Sequence, residues 1–315
     1  MERILESMKG ALYLTGAFVL AGSSVVAARF VSGSLGPFTI AAASLFFAAL
    51  CLIPACGRRL MEAIKGMKPG DWLALLMQAV FGIFLFRLFL LQGLTRTSTG
   101  EAGMLTGATP AITALLAAVF LRETLYKSRI AGLCITIAGI LLLQGLLLPG
   151  SGLEPTHFAG NMLVLCAAFC ESLFNVLSRS RFIGCAGRKT GTGPLQQTAL
   201  VSVIAFMLCL IPAILENPVQ SLSELNMGQW LALVWYGVVV TALAFYFWYA
   251  GIKRCEASVA AIFSGMMPFT ALLLSVILLG ERPIWQQYLG GFMVMAGMVI
   301  SGLKQKADAK LALAE

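Results

Sequence analysis

One carboxylate stands in the middle of a long apolar stretch, where an ion is costly. Glu171 lies near the centre of the run 158–178, and Asn175 and Ser178 follow it four and seven residues later, on the same helical face. An ionised carboxylate inside a bilayer costs about 2.5–3.5 kcal/mol on insertion scales, so it should be paired, protonated or hydrated. The pattern therefore indicates either a protonation or cation site, or a carboxylate that pairs with an arginine and locks two helices together.

Two prolines lie about midway along other apolar runs. Proline cannot donate a hydrogen bond to the carbonyl four residues earlier, so Pro110 frees the carbonyl of Thr106 and Pro268 frees that of Ser264. Hydroxyl residues share one predicted helical face beside the first proline: Thr106, Thr109 and Thr113. We interpret the pattern either as a polar site at mid-membrane with the two prolines as hinges, or as bends packed by small polar residues.

The remaining charged candidates lie near the ends of apolar runs. Glu123 and Glu281 occur at turns, where a carboxylate can cap the first turn of the following helix; the alternative is contact with a substrate. Arg29 and Arg87 are close enough to run ends for their side chains to extend to the lipid headgroups. Arg29 has a second interpretation, as a ligand for an anionic substrate.

The residue types give little support for a metal site, for catalysis or for nucleotide binding. The chain has one histidine, and its eight cysteines form no CxxC pair, so we expect no metal site and no histidine-based catalysis. The segment GCAGRKTGTG at 184–193 does not match the P-loop pattern GxxxxGK[ST], and HExxH and GxSxG motifs are absent. We therefore expect no cofactor.

The elements that position these residues are long and apolar. Hydrophobic residues make up 59% of the 315 and charged residues 11%, against about 25% charged in a soluble domain. Ten runs are long enough to cross a bilayer: 11–31, 37–56, 72–92, 101–121, 129–148, 158–178, 194–215, 230–250, 258–279 and 285–303. The sequence thus predicts an all-α integral membrane protein with ten transmembrane helices.

The chain also repeats itself. Pro110 and Pro268 are 158 positions apart (268 − 110 = 158), and so are Glu123 and Glu281. Because each copy holds five predicted helices, the second copy enters the membrane from the opposite side, which predicts inverted repeats. The predicted units, in chain order, are a five-helix repeat at 1–148, a second at 149–303, and a basic cytoplasmic tail at 304–315.

The basic residues indicate an orientation. With a cytoplasmic N-terminus, 18 of the 22 lysines and arginines fall on the inner side and only Arg96 and Arg282 on the outer side. We therefore predict a multi-pass protein of the cell (inner) membrane with both termini cytoplasmic. The net charge of +8 is explained by this partition, so we expect no nucleic-acid partner.

The repeated segments resemble a known family. GATPAITALLAAVFLRE and IAGLCITIAGILLL in the first half, with GMMPFTALLLSVILLGE and YLGGFMVMAGMVIS in the second, are similar to the ten-helix branch of the drug/metabolite transporter superfamily, which is built from two EamA-type repeats. Arg29 matches a basic position common at the end of the family's first helix. Ser44 stands where the second helix often has arginine, and Glu171 stands where the family usually has a neutral residue.

The resemblance implies a secondary transporter that works by alternating access. We expect a small polar, amino-acid-like or related solute as substrate, export as the direction, and protons as the coupling ion. An intramembrane enzyme and a non-transporting membrane subunit or receptor are the alternatives. The expected partners are thus a small-molecule solute, the lipid bilayer and protons, while the sequence leaves a homodimer open.

Overall fold

The described part of the chain is built from helices and contains no strand. The computed structural model describes residues 2–120, 127–143, 155–184, 193–252, 263 and 266–303. Two candidate residues from the sequence, Glu123 and Ser264, lie outside these ranges. The all-α prediction is confirmed for the described residues.

The helices of the first half end at Leu143. They are α1 (Glu2–Val31), α2 (Pro37–Cys56), α3 (Arg58–Lys65), α4 (Pro69–Ala79), the π-helical segment π1 (Val80–Leu85), α5 (Phe86–Leu94), α6 (Thr99–Thr106), α7 (Thr109–Phe120) and α8 (Lys127–Leu143). The second half continues with α9 (Pro155–Gly184), α10 (Pro194–Leu215), α11 (Pro218–Ser223), α12 (Met227–Val234), the π-helical segment π2 (Trp235–Leu243), α13 (Ala244–Ile252), α14 (Met266–Leu279) and α15 (Trp285–Leu303).

Several of these helices are long and apolar enough to cross a membrane. Among the described residues seven helical stretches qualify: Lys9–Val31, Pro37–Cys56, Pro69–Leu94, Thr99–Phe120, Thr156–Ser178, Leu195–Leu215 and Met227–Gly251. Shorter apolar helices occupy Ile130–Leu142 and Met266–Leu279. Every predicted run overlaps a helix, while the count of ten spans stays a prediction.

Local sequence signals explain where many of these helices begin. Proline occupies the first helical position of α2, α4, α10 and α11, where its missing N–H costs no helical hydrogen bond. The Ser98 side chain accepts a hydrogen bond from the Glu101 N–H and so caps α6. Asn226 caps α12 in the same way, and Gln229 reciprocates.

The two π-helical segments occupy related positions in the two halves. A shift of π1 by 158 residues gives 238–243, which lies within π2. In π2 the Thr241 hydroxyl donates to the Tyr236 carbonyl, five residues earlier, at 2.8 Å. Such wide turns are rare and concentrate at functional sites, and the apolar pattern of the sequence did not predict them.

The helices pack mainly across the two halves. The partners α2 and α10 lie together, as do α8 and α15. In addition, α1 packs against α13 and α14, while α9 packs against α5, α6 and α7. The contacts of α1 with α13 and α14 correspond to those of α9 with α5 and α7 when the two halves exchange places, so the interior of the bundle is an interface between them.

Glycines allow the closest of these approaches. A Cβ atom at Gly139 on α8 would lie 2.7 Å from the carbonyl oxygen of Gly290 and 2.9 Å from the Val294 nitrogen, both on α15. A Cβ atom at Gly297 would lie 2.6 Å from the Gly132 oxygen. Because real Cβ atoms do not approach backbone this closely, the two helices can meet here only through small residues.

Candidate functional site

A hydrogen-bonded polar seam joins α7 of the first half to α9 of the second. The Thr109 hydroxyl donates to Glu171 Oε2 at 2.9 Å, and the Ser172 hydroxyl donates to the Thr109 carbonyl oxygen at 3.0 Å. Thr109 and Ser172 are buried, and Glu171 is half-buried. The structure thus brings together the carboxylate and one of the threonines that the sequence singled out.

Two further hydroxyls extend this seam. Thr113 lies one turn beyond Thr109 on α7, and Ser178 lies seven residues beyond Glu171 on α9. Both hydroxyl oxygens are buried and have no hydrogen-bond partner among the described residues. Asn175, one turn beyond Glu171, is half-buried. A buried hydroxyl without a partner is costly, so the polar seam, defined as Thr109, Thr113, Glu171, Asn175 and Ser178, has hydrogen-bonding capacity for a ligand or water.

No arginine pairs with Glu171 in the part of the chain that the structure describes. The close pair of a carboxylate and an imidazole among the described residues, Glu101 with His157, does not involve Glu171. The described partner of the Glu171 carboxylate is the neutral hydroxyl of Thr109. A carboxylate held by one neutral donor in mid-helix is free to change its protonation or its ligand.

The predicted bend at Pro110 is present as an interruption of the helix. α6 ends at Thr106 and α7 begins at Thr109, and the Gly107 and Ala108 amides donate to carbonyls three residues earlier, at 3.0 Å each. The Thr106 hydroxyl donates back to the Gly103 carbonyl at 2.7 Å. Thr106 is therefore not part of the polar seam. The sequence prediction assumed one continuous helix from Thr106 to Thr113, and the interruption changes the direction in which Thr106 points.

The second proline packs against this interruption. A Cβ atom at Gly107 would lie 3.2 Å from Cγ of Pro268, and one at Gly103 would collide with Ala271. Pro268 is the third described residue of α14. The two prolines that were predicted as hinges are thus in one neighbourhood.

Glu281 caps a helix, but a different one from that predicted. Its carboxylate oxygens accept hydrogen bonds from the Thr99 N–H at 2.9 Å and the Gly100 N–H at 2.8 Å, the first turn of α6. The expected target was the following helix, α15. The short turn leaves α14 packed against α6, so the first amides of α6, which have no acceptor within their own helix, are within reach of Glu281.

A second carboxylate, that of Glu216, caps the N-terminus of α2. Glu216, at the end of α10, accepts hydrogen bonds from the Phe38 N–H at 3.3 Å and from both the N–H and the hydroxyl of Thr39 at 2.8 Å. Sequence reasoning did not find this residue, because its partner is 177 positions away. Both caps join a residue of the second half to a helix of the first.

Removing the Glu281 cap should destabilise the protein. Glu281→Ala leaves the Thr99 and Gly100 amides without their acceptor, and loss of a helix cap costs about 0.5–2 kcal/mol. Glu224, which is exposed, provides the matched control, and Glu224→Ala should change stability by less than about 0.5 kcal/mol. Thermal unfolding of the purified variants measures both. Equal stability of the parent and Glu281→Ala would show that the cap is not stabilising.

Arg29 lies at the periphery rather than in the polar seam. Its side chain is exposed, and its guanidinium donates to the Leu94 carbonyl at the end of α5. An arginine in the last turn of a helix that binds a neighbouring helix end has a structural role in this conformation. The structure therefore does not bring Arg29 together with Glu171.

Arg87 is buried, which contradicts its expected extension to the headgroups. It is 4% exposed and donates to the Ser44 hydroxyl at 2.6 Å and the Thr241 hydroxyl at 2.5 Å. Its guanidinium lies 4.3 Å from the centre of the Tyr236 ring. A buried cation in a membrane bundle loses its hydration, which costs up to about 2.5–3.5 kcal/mol on insertion scales, and these neutral groups replace part of that hydration.

Glu101 is a buried carboxylate that the sequence analysis did not identify as a candidate. It is 7% exposed and accepts hydrogen bonds from the Thr97 hydroxyl at 2.7 Å and from the Gln287 amide. Its Oε2 lies 3.5 Å from His157 Nδ1. The Ser98-x-x-Glu101 spacing is that of a capping box and could have identified the helix start, though not the partner on α15.

Comparison with known proteins supports the membrane assignment. The model of the EamA-like transporter family matches the chain twice, at residues 8–144 and 158–303. The uncharacterized transporter YetK of Bacillus subtilis (strain 168) is 28% identical over 314 residues, covering 96% of this chain and 89% of YetK. The aromatic amino acid exporter YddG of Ancylobacter novellus is 25% identical over 266 residues, covering 82% of this chain and 85% of YddG.

The fold also has a counterpart among solved structures. One crystal structure superposes with a TM-score of 0.62 and 23% sequence identity, covering 93% of this chain and 96% of that one. At this identity the likeness concerns the fold alone. The two family matches and the transporter relatives make this a multi-pass membrane transporter for a small-molecule solute, not an enzyme. The chain belongs to the EamA-like transporter family.

Proposed function

We propose that the chain is a secondary transporter that exports a small polar, amino-acid-like solute by alternating access and couples this movement to protons at Glu171. The observation that carries the proposal is the polar seam between α7 and α9. There a mid-helix carboxylate is held by the Thr109 hydroxyl at 2.9 Å beside buried hydroxyls that have no described partner. Polar groups inside a membrane bundle mark substrate and ion pathways.

The amino-acid-like substrate is proposed from chemistry and from relatives. Hydroxyl, amide and carboxylate groups along the seam can bind an ammonium group and other hydrogen-bonding substituents. YddG carries the name of an aromatic amino acid exporter. Export is proposed from the same relative.

Alternating access is proposed from the packing of the two halves. We assign residues 1–148 and 149–303 to two inverted five-helix repeats and 304–315 to a cytoplasmic tail. The twofold family match and the exchange of packing partners between the halves support this assignment. The interruption at Gly107–Ala108 beside Pro268 provides a place where α6 and α7 can change their mutual angle.

Solute flux in proteoliposomes tests the proposed function. Purified protein is reconstituted, and exchange of labelled L-phenylalanine and of other labelled amino acids is followed against protein-free vesicles. Saturable, protein-dependent exchange is expected. Absence of exchange for every amino acid supplied would contradict the proposed substrate class, and absence for all solutes would favour a non-transporting subunit or receptor.

The proposed orientation predicts which loops an impermeant thiol reagent reaches. On a cysteine-free background, Gln220→Cys in α11 should react in intact cells, because the segment after α10 is expected outside, where it carries no lysine or arginine. Glu62→Cys in α3 is the inner control and should react only after the cells are opened. Both positions are exposed. The reverse labelling pattern would contradict a cytoplasmic N-terminus.

A further inference from the structure

A buried cation lies at the meeting point of α2, α5 and π2, away from the hydrogen bonds of the polar seam. Its surroundings are neutral: Ser44 and Ala41 of α2, and Tyr236 and Thr241 of π2. No described carboxylate lies within 4.0 Å of the Arg87 guanidinium. Glu216 is engaged at Phe38 and Thr39, and Thr39 is five residues, or about 7.5 Å along α2, from Ser44.

The guanidinium retains donors that the described residues do not use. Nη1 donates to Ser44 and, at 3.4 Å, to the Ala41 carbonyl, and Nη2 donates to Thr241. Of the five N–H groups of arginine, the Nε–H and one Nη2–H therefore lack a described acceptor. Nε and Nη2 form one edge of the guanidinium plane, the edge that binds both oxygens of a carboxylate.

A buried hydroxyl accompanies these donors. Tyr236 is 1% exposed, its ring stacks under Arg87, and its hydroxyl has no hydrogen-bond partner among the described residues. Tyrosine hydroxyls in protein interiors usually have a partner. A cation without a described counter-ion and an unused hydroxyl donor beside it are complementary to one chemical group, an anion that accepts hydrogen bonds.

The packing of α9 against π1 and α5 gives the depth of Arg87 relative to Glu171. Gly93 of α5 approaches Gly160 and Val164, while Gly82 of π1 approaches Phe174. The two helices therefore run antiparallel, and Arg87, midway between the two glycines, is level with about residue 169. Glu171 is two residues further, about 3 Å along the helix axis. The buried cation and the half-buried carboxylate therefore lie at nearly the same depth.

We propose that Arg87, with Tyr236, Ser44 and Thr241, binds the carboxylate group of the transported solute. The substrate class is then a carboxylate-bearing amino acid or a related acid rather than an amine. This inference deepens the proposed transport function and rests on it for the identity of the ligand. The binding site itself is testable without flux.

Binding of matched probes to the purified protein in nanodiscs provides the test. The probes are L-phenylalanine, 3-phenylpropionate, which retains the carboxylate but lacks the ammonium group, and L-phenylalaninamide, which lacks the carboxylate. Affinity is measured by the change in intrinsic tryptophan fluorescence on titration. The parent should bind both carboxylates at least tenfold more tightly than the amide.

Two variants separate ligand binding from structure. Arg87→Lys keeps the positive charge but loses the bidentate edge, and we expect a rise of at least tenfold in the Kd of 3-phenylpropionate. Tyr236→Phe removes only a hydroxyl that has no described partner, so a merely structural tyrosine would leave Kd unchanged; we expect a rise of at least fivefold at an unchanged melting temperature. Tyr288→Phe, at an exposed ring on α15, should leave Kd unaltered.

The outcomes distinguish the site from the transport proposal. Equal affinity of the parent for the acid and the amide would overturn the site, as would unchanged affinity in both Arg87→Lys and Tyr236→Phe. Failure of the parent to bind either carboxylate probe would overturn it as well. Carboxylate binding that depends on Arg87 and Tyr236, without any flux in vesicles, would uphold the site and reject the transporter mechanism proposed above.

Discussion

Glu171→Gln should abolish the uphill accumulation of solute that a pH gradient drives, while solute exchange at equal pH continues. A carboxyl group that is protonated in one access state and ionised in the other carries a proton across; glutamine has nearly the same volume but no proton to exchange. Its amide can still accept the hydrogen bond from Thr109, which measures 2.9 Å to Glu171 in the parent. The fold should therefore persist.

The measurement compares vesicles with and without an imposed pH gradient. The other charged side chains on helices that pack against α9 include Arg87 on α5, Glu101 on α6 and Asp71 on α4. Of these, Glu101 is hydrogen-bonded to Thr97 and Gln287. Glu224→Gln, at an exposed carboxylate, is the matched control and should behave as the parent. If Glu171→Gln accumulates solute as well as the parent at every pH, another group couples transport.

Gly139→Val should destabilise the crossing of α8 and α15 by about 3 kcal/mol, the upper end of the range for overpacked cores. The new Cβ atom would lie 2.7 Å from the Gly290 oxygen and 2.9 Å from the Val294 nitrogen. Because both atoms belong to the backbone, a side-chain rotation cannot relieve the overlap, and the helices must separate. Denaturant unfolding of the purified protein in micelles measures the loss.

Gly70 provides a matched control in another helix. A Cβ atom at Gly70 in the first turn of α4 would meet no atom within 4 Å. Gly70→Val should therefore leave the unfolding free energy within about 0.5 kcal/mol of the parent, as for surface substitutions generally. Similar losses in both variants would mean that the close approach of α8 and α15 is not the cause of the destabilisation.

Features encoded within one helix were predictable from the sequence. The apolar runs locate the helices because a span must be apolar over its whole length. Pro110 predicted the interruption after Thr106, since proline removes a helical donor. The contact between Thr109 and Glu171 unites two residues that were singled out separately, each for its polarity inside a run.

Partners across helices were not predictable from one sequence. Glu281 was recognised as a cap, but its target, Thr99, depends on how α14 packs beside α6. Arg87 near the end of a run was expected at the headgroups, whereas the neutral partners that retain it are Ser44 and Thr241, 43 and 154 positions away. The spacing of such residues carries no periodic signal.

The wide turn π1 sets the angular position of Arg87 around its helix. A π-helical turn holds one extra residue, and one residue corresponds to about 100° of rotation and 1.5 Å of rise in an α-helix. If that extra residue migrates along the chain from Val80–Leu85 to a position beyond Arg87, the guanidinium swings by about 100° around the helix relative to α4. Such a migration would turn the cation away from Tyr236 and Thr241, because only the residues between the old and the new position of the wide turn change their angle.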